Sequence, residues 1–517
     1  MGSGHSRDAA GYCGRLSVAI ALLARMAHFT GYLAGSRTAL YYWPVLACRK
    51  FEAAAEAILQ GSAPSGPFVY ASPLYRYLIL PAYAAGAGRT VLFVIQSLMG
   101  VLTAWLLFRL CLRAGAGPRS SLAASALWSL YPPVVFYELT VLPVAVLTLL
   151  LTSFTLMLAR SGGGGWRAGA AGLLAGLSAG LRPPFTAVMT VPFFRWARGR
   201  EWLGMAAAAG SFMLPLLFIS YEHSVAGGGF YPFPRSTGIN LVLGHSSEST
   251  GYGPPIPSMG LVETGRGDIH DVAASVAADS GHGDPASADA FWTRKALSWV
   301  LHHPAEELRL LSVKMGGFFG WRGFDSYYDM GRVRRFNPVL SFFPVNRWAP
   351  VLLFLVGLLP FCIRGRHRAL ILAPVAAALA STLLFVHSER YFLPVLPMMM
   401  ASGVSGLTVL VGNFHGRRVA WAAAGAAGLI LAVPALLHPV PGVPEPLFVG
   451  SLAVRAYHME DWDLALELFE RSALLSPYGS VPWVQGHREA ARIAGALGLA
   501  DRAEQHLLML RGAGLPP

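Results

Sequence analysis

Residues 36–73 read SRTALYYWPVLACRKFEAAAEAILQGSAPSGPFVYASP, a polar stretch set between two apolar segments. Its centre, Arg49 to Gln60, has Phe51, Ala54, Ala55 and Ile58 at helical spacing, with Arg49, Lys50, Glu52 and Glu56 between them. So charged a segment does not cross a bilayer, yet its apolar stripe needs cover; the pattern predicts a helix lying on the membrane surface. A Gly/Pro/Ser turn follows, then the aromatic–proline run Tyr70-Ala71-Ser72-Pro73-Leu74-Tyr75.

Outward from this stretch the chain is apolar. Of 517 residues, 54% are hydrophobic and 13% charged, the make-up of a polytopic membrane protein. The net charge of +13 first suggests a nucleic-acid partner. The arginines, however, sit in short clusters between apolar runs, a pattern that sets membrane topology and points to no nucleic acid. Cys13, Cys48, Cys111 and Cys362 form no CxxC pair, so neither a disulfide framework nor a zinc site is indicated. Arg25 and His28 interrupt the first apolar run and no small-residue cleavage site follows, which predicts a retained span.

Runs near the ~20-residue spanning length recur at 16–34, 91–112, 121–136, 139–158, 168–181, 184–196, 202–221, 351–363, 369–386, 392–411 and 419–437. Arg113/Arg119, Arg160/Arg167, Arg195/Arg198/Arg200, Arg364/Arg366/Arg368 and Arg417/Arg418 fall on one, cytoplasmic side only if 74–87 lies flat. The expectation is an all-α integral membrane protein of about eleven transmembrane helices, with the N-terminus inside. Residues 1–440 form the membrane domain, and the loops at about 36–73 and 222–346 lie outside. Residues 446–517 then form a small α-helical tail, also outside. In that tail Ala465, Phe469 and Pro477 follow the A-x3-F…P spacing of a tetratricopeptide helix pair, weakly repeated around Ala503. Two units are fewer than bury a repeat core, so the tail is expected to dock on the outer loops or on a protein partner; an ordinary helical hairpin is the alternative.

Gly172, Gly176 and Gly180 recur every fourth residue, a face for close helix packing. Arg182-Pro183-Pro184 ends that span on the outer side, where the arginine either snorkels to lipid phosphates or holds an anionic substrate. No nucleotide-binding glycine motif is present. His270, Asp271, His282 and Asp284 are metal-ligand types at irregular spacing, better read as a solvated loop than as a metal site. No cofactor follows from the residues, and a divalent cation is not indicated.

The order of short motifs resembles the bacterial polytopic glycosyltransferases of the GT-C fold, family 39-like, which are related to protein O-mannosyltransferases and lipid A aminoarabinose transferases. The resemblance spans roughly Arg25 to Leu410. It rests on Arg25, Pro44-Val45-Leu46, Ser72-Pro73-Leu74-Tyr75, Arg89…Gln96 and Leu130-Tyr131-Pro132-Pro133 with Glu138. Leu181-Arg182-Pro183, Gly238-Ile239-Asn240…Gly244, His303-Pro304 with Lys314, and Arg390-Tyr391…Pro394…Pro397 complete it. It implies inverting transfer of a sugar from a polyprenyl-phosphate donor to a protein, lipid or glycan acceptor on the outer side of a bacterial inner membrane. It also implies a carboxylate base in the first outer loop and basic residues on the donor phosphate.

The chain departs from that pattern where the family usually has Asp: it has Ala47. The local substitutes are Glu52 and Glu56, one or two helical turns further along; Glu56 reads better as a solvent-facing charge, while Glu52 lies beside Arg49 and Lys50, which could hold it ionised or bind phosphate. Asp325 is the alternative base. For the donor phosphate the candidates are Arg390, Lys50, Arg182 and Lys314. Tyr70, Tyr75 and Glu138 are expected to line the cavity, which Glu52 and Arg390 should share. Ala47 also opens a second reading, a catalytically degenerate member that serves as a binding or assembly subunit.

Overall fold

The computed structural model describes residues 2–44, 47–62, 72–86, 88–159, 165–225, 229–252, 259, 269–320, 323–325, 328–329, 331–412, 433, 437 and 445–514. Among the described residues the chain is all-helical. Four helices are long and apolar enough to cross a membrane: Asp8–Ala34, Gly88–Ala114, Trp202–Val225 and Glu389–Gly412. Val144–Leu158, Trp348–Arg364 and Arg368–Leu384 are shorter apolar helices beside them. The chain is thus an integral membrane protein, with four full-length spanning helices among the described residues. The expected span at 419–437 lies almost wholly outside the described residues.

Prolines interrupt two of the expected runs. The expected span 121–136 is broken into Pro118–Ser129 and Pro132–Glu138, with Tyr131 extended at φ −83°, ψ 112°. A residue before proline avoids the helical region, and proline suits the first turn of the next helix. Likewise Pro183 and Pro184 start a 3₁₀ turn, Pro183–Met189, ahead of the short helix Thr190–Arg198. The segment expected to lie flat folds as Leu74–Ala84, eleven residues long.

Small residues set the helix contacts. A Cβ at Gly172 or Gly176 would run into the backbone carbonyl of Ala208 or Phe212, so Gly165–Leu181 lies directly on Trp202–Val225. A second such seam, not anticipated, joins Trp348–Arg364 to Leu396–Gly412 through Gly357, Gly403 and Gly406. At one end of the bundle Arg195, Arg113 and Arg366 gather around His367. Burial, and after it those three cations, push its imidazole below the ordinary histidine value. Three of the sequence's arginine clusters therefore share one end.

The tail is four helices, Glu445–His458, Trp462–Leu474, Val481–Ala496 and Ala500–Gly512, each packed on the next. Ala465 and Phe469 are buried between them, and Asp461 caps the second helix by accepting from the Leu464 amide at 3.2 Å. The first of the four docks on the membrane domain: Glu445 pairs with Arg332 at 2.8 Å, and Phe448 meets Tyr41 and Phe336.

Candidate functional site

At the bundle end away from the His367 cluster, the chain enters its last described long helix through His387-Ser388-Glu389-Arg390-Tyr391. Of four consecutive side chains here, two meet one carboxylate and the other two go elsewhere. Ser388 Oγ donates to Asp325 Oδ2 at 2.6 Å, and Arg390 Nη1 donates to Asp325 Oδ1 at 3.4 Å. The Asp325 side chain is fully buried. Tyr391 turns its ring under Arg182, whose guanidinium carbon is 3.7 Å from the ring centroid, while that of Arg390 is 5.2 Å away. Arg182 reaches this point because it precedes Pro183 and is extended at φ −152°, ψ 103°, which takes it off the Gly165–Leu181 helix. Its Nε is buried with no partner among the described residues.

The fourth side chain, Glu389, builds the frame. It pairs with Arg347, both buried, and accepts from the Tyr131 hydroxyl at 2.7 Å. Arg347 spends its other donors on the carbonyls of Gly317 (3.2 Å), Phe318 (3.0 Å) and Gly320 (2.9 Å). Those carbonyls at the end of Pro304–Phe319 lack intrahelical partners and carry the negative end of the helix dipole, so a guanidinium fork satisfies both. The amide of Glu389 donates to Phe324 O at 2.6 Å. Asp325 is thus fixed by Ser388 and by its own neighbour's backbone.

Glu52 stands in a different cluster. It lies on the helix Ala47–Leu59 and is 1% exposed. Arg49 holds Oε2 at 2.8 Å, while Arg89 and the Tyr83 hydroxyl hold Oε1 at 2.8 and 2.9 Å. Arg89 is itself stacked over Trp43 at 3.8 Å. Both carboxylate oxygens are therefore committed to anchoring the surface helix. One turn back, the thiol of Cys48 faces the Tyr328 hydroxyl at 3.9 Å, a contact between the surface helix and the Asp325 loop.

The remaining candidates are placed as follows. Lys50 pairs with Asp271 at 2.8 Å. Lys314, at 0% exposure, donates to Leu383 O at 2.9 Å and sits 3.2 Å from His245 Nε2, with Glu307 on the opposite ring nitrogen at 2.8 Å. The Tyr75 hydroxyl lies 3.0 Å from Leu142 O and 3.1 Å from Gln96 Oε1. Glu138 takes a two-pronged contact from Arg25, at 2.6 and 3.0 Å, against the ring of Trp128. Only a glycine fits opposite that pair, because a Cβ on Gly100 would occupy the place of the carboxylate. Asp284 caps the helix Pro285–His302, accepting from the Ala286 and Ser287 amides. Tyr70 lies outside the described residues.

The structure brings together Asp325, Arg390 and Arg182 from the sequence candidates and adds Ser388 and Tyr391 to them. The signal for both additions is their position beside Arg390 in the chain.

No family model matches the chain, and no curated protein does. Among solved structures it is similar to the archaeal oligosaccharyltransferase AglB from Archaeoglobus fulgidus, determined in complex with an inhibitory peptide and a dolichol-phosphate. The identity is 14%, the TM-score 0.40, and the alignment covers 90% of this chain and 60% of that one. The chain thus spans less than two thirds of that protein's length.

Proposed function

We propose that this chain is a membrane glycosyltransferase that moves a sugar from a polyprenyl-phosphate donor to an acceptor hydroxyl or amide. The observation that carries the proposal is a fully buried carboxylate, Asp325, held by Ser388 and touched by Arg390, with Arg182 and Arg390 flanking the same tyrosine ring. A carboxylate beside two guanidinium groups at the head of a membrane helix offers a base and an anion clamp in one place.

In this reading the acceptor's oxygen or nitrogen attacks the anomeric carbon from the face opposite the phosphate, and its proton passes to Asp325. The bond from the anomeric carbon to the phosphate oxygen breaks, and the polyprenyl phosphate leaves with that electron pair. Arg390 and Arg182 neutralise the charge growing on the departing oxygen, the step where fixed positive charge lowers a barrier most. The configuration inverts. Glu52, Tyr75 and Glu138 then hold the helices around the site. Lys50 and Lys314, expected to meet the donor phosphate, are assigned here to Asp271 and to His245. We place the site on the outer side of the bacterial inner membrane, with 1–440 as the membrane domain and 446–517 as a tail on that same outer side.

The test is transfer by the full chain in proteoliposomes, with a polyprenyl-phosphate-linked hexose or pentose as donor. Asp325→Asn and Arg390→Ala should each lower turnover by roughly 100-fold or more, as loss of a base or of a charge clamp does. Turnover unchanged in both variants sinks the assignment.

A second reading has an observation of its own. The surface helix opens at Ala47, and its buried acid, Glu52, is tied to Arg49, Arg89 and Tyr83. If transfer appears only in Ala47→Asp, the natural chain is a binding or assembly subunit.

A further inference from the structure

The first helix of the tail, Glu445–His458, places one arginine against the loop that carries Asp325. Arg455 is 1% exposed, and its guanidinium carbon lies 5.2 Å from the ring centroid of Tyr328 and 5.7 Å from that of Tyr41. Ser451 orients it, accepting from Nη1 at 3.0 Å through both its carbonyl and its hydroxyl. The two tyrosines are the ends of a short relay. Tyr328 follows Asp325 by three positions and faces Cys48 of the surface helix. Tyr41 donates to Asp329 O at 2.5 Å and stacks on Phe336 at 4.5 Å. At the rim, Glu445 pairs with Arg332, and Arg332 lies 4.3 Å over Phe448.

A buried guanidinium is costly unless its charge is met, and two phenol faces are among the groups that meet it. We infer that the tail is a component of the site and that Arg455 is a positioning residue. It pins Tyr328 and Tyr41 so that the Asp325 loop stays closed against the surface helix. The consequence for transfer rests on the assignment of Asp325 under the proposed function; the clamp itself does not.

The experiment therefore reads the clamp without turnover. The full chain in nanodiscs is treated with a small methanethiosulfonate, and labelling at Cys48 is followed by mass spectrometry. Cys48 and Cys111 are each at 0% exposure, so Cys111 reports whether the bundle as a whole stays folded. Arg455→Met keeps the volume and loses the charge; it should speed Cys48 labelling about five-fold, whereas Arg455→Lys, which keeps a cation over the rings, should stay within about two-fold of the parent. Equal protection in Met and Lys variants would show packing alone and overturns the inference. If Cys111 also reacts in Arg455→Met, the milder Glu445→Ala decides: a roughly two-fold rise at Cys48 alone supports the clamp, and no rise overturns it.

Discussion

Ser388 and Asp325, 63 residues apart in sequence, meet through a 2.6 Å hydrogen bond in the interior. The bond aims one carboxylate oxygen at the serine and leaves the other toward Arg390. A hydrogen bond to a charged group contributes about 1.5–3 kcal/mol, or roughly 10- to 100-fold in a rate that needs the group aligned. Ser388→Ala should lower turnover by that factor with little change in donor affinity, since Arg182 and Arg390 are untouched. Steady-state kinetics with separate donor-binding measurements check the split.

Arg347 and Glu389 form the pair whose loss should matter most for stability. Both are buried, and Arg347 also ties three carbonyls at the end of Pro304–Phe319. Removing one partner strands the other charge, a change that costs about 3–5 kcal/mol. Glu389→Gln should therefore lower the melting temperature of the detergent-solubilised protein far more than Glu445→Ala, whose ion pair with Arg332 is 44% exposed on the acidic side and worth below ~1 kcal/mol.

The features legible in the sequence are those set by local pattern or by bulk solvation. The arginine clusters were readable because charge placement relative to apolar runs fixes topology, and Arg113, Arg195 and Arg366 do converge on His367. The Gly172/Gly176/Gly180 face was readable from its spacing alone. The destination of Glu389 was not. It neighbours Arg390 in sequence, yet successive helical residues point about 100° apart, so it meets Arg347 while Arg390 meets Asp325. Asp325 stands behind Glu52 as the alternative base in the sequence reading for a related reason. Which arginines surround a carboxylate is decided by contacts such as Arg89 to Glu52, made between helices that no local pattern pairs. The broken span at 121–136 lost out to Pro132 and Pro133, whose effect was visible but outweighed by the apolar run around them.

The glycine seam makes a direct prediction. A side chain at Gly176 would meet the carbonyl and Cα of Phe212, backbone that cannot step aside. Gly176→Leu forces Gly165–Leu181 away from Trp202–Val225 and should destabilise by about 1–3 kcal/mol or more. Gly210→Leu, on the same helix pair with nothing near its Cβ, is the matched control and should be close to neutral. Thermal aggregation in detergent separates the two.

Lys314 makes the folded state sensitive to pH above neutrality. Burial lowers its ammonium to a pKa of about 8, an effect only partly offset by Glu307. Glu307 reaches it through His245, whose Nδ1 lies 2.8 Å from the glutamate and whose Nε2 lies 3.2 Å from Lys314 Nζ and 2.9 Å from Leu384 O. In the unfolded chain a lysine titrates near 10.4. Below pH ~8 both states carry the proton and the folded one bears the full cost of the buried charge. Between about 8 and 10.4 the unfolded state binds more protons, so this group's contribution raises stability with pH, by about 1.4 kcal/mol for each unit of difference between the two values. Lys314→Met, close in volume and uncharged, should abolish that rise while stabilising the protein most at pH 7. Melting curves of parent and variant at pH 7, 8, 9 and 10 measure it; parallel curves across the range would show that Lys314 is solvated in the folded protein.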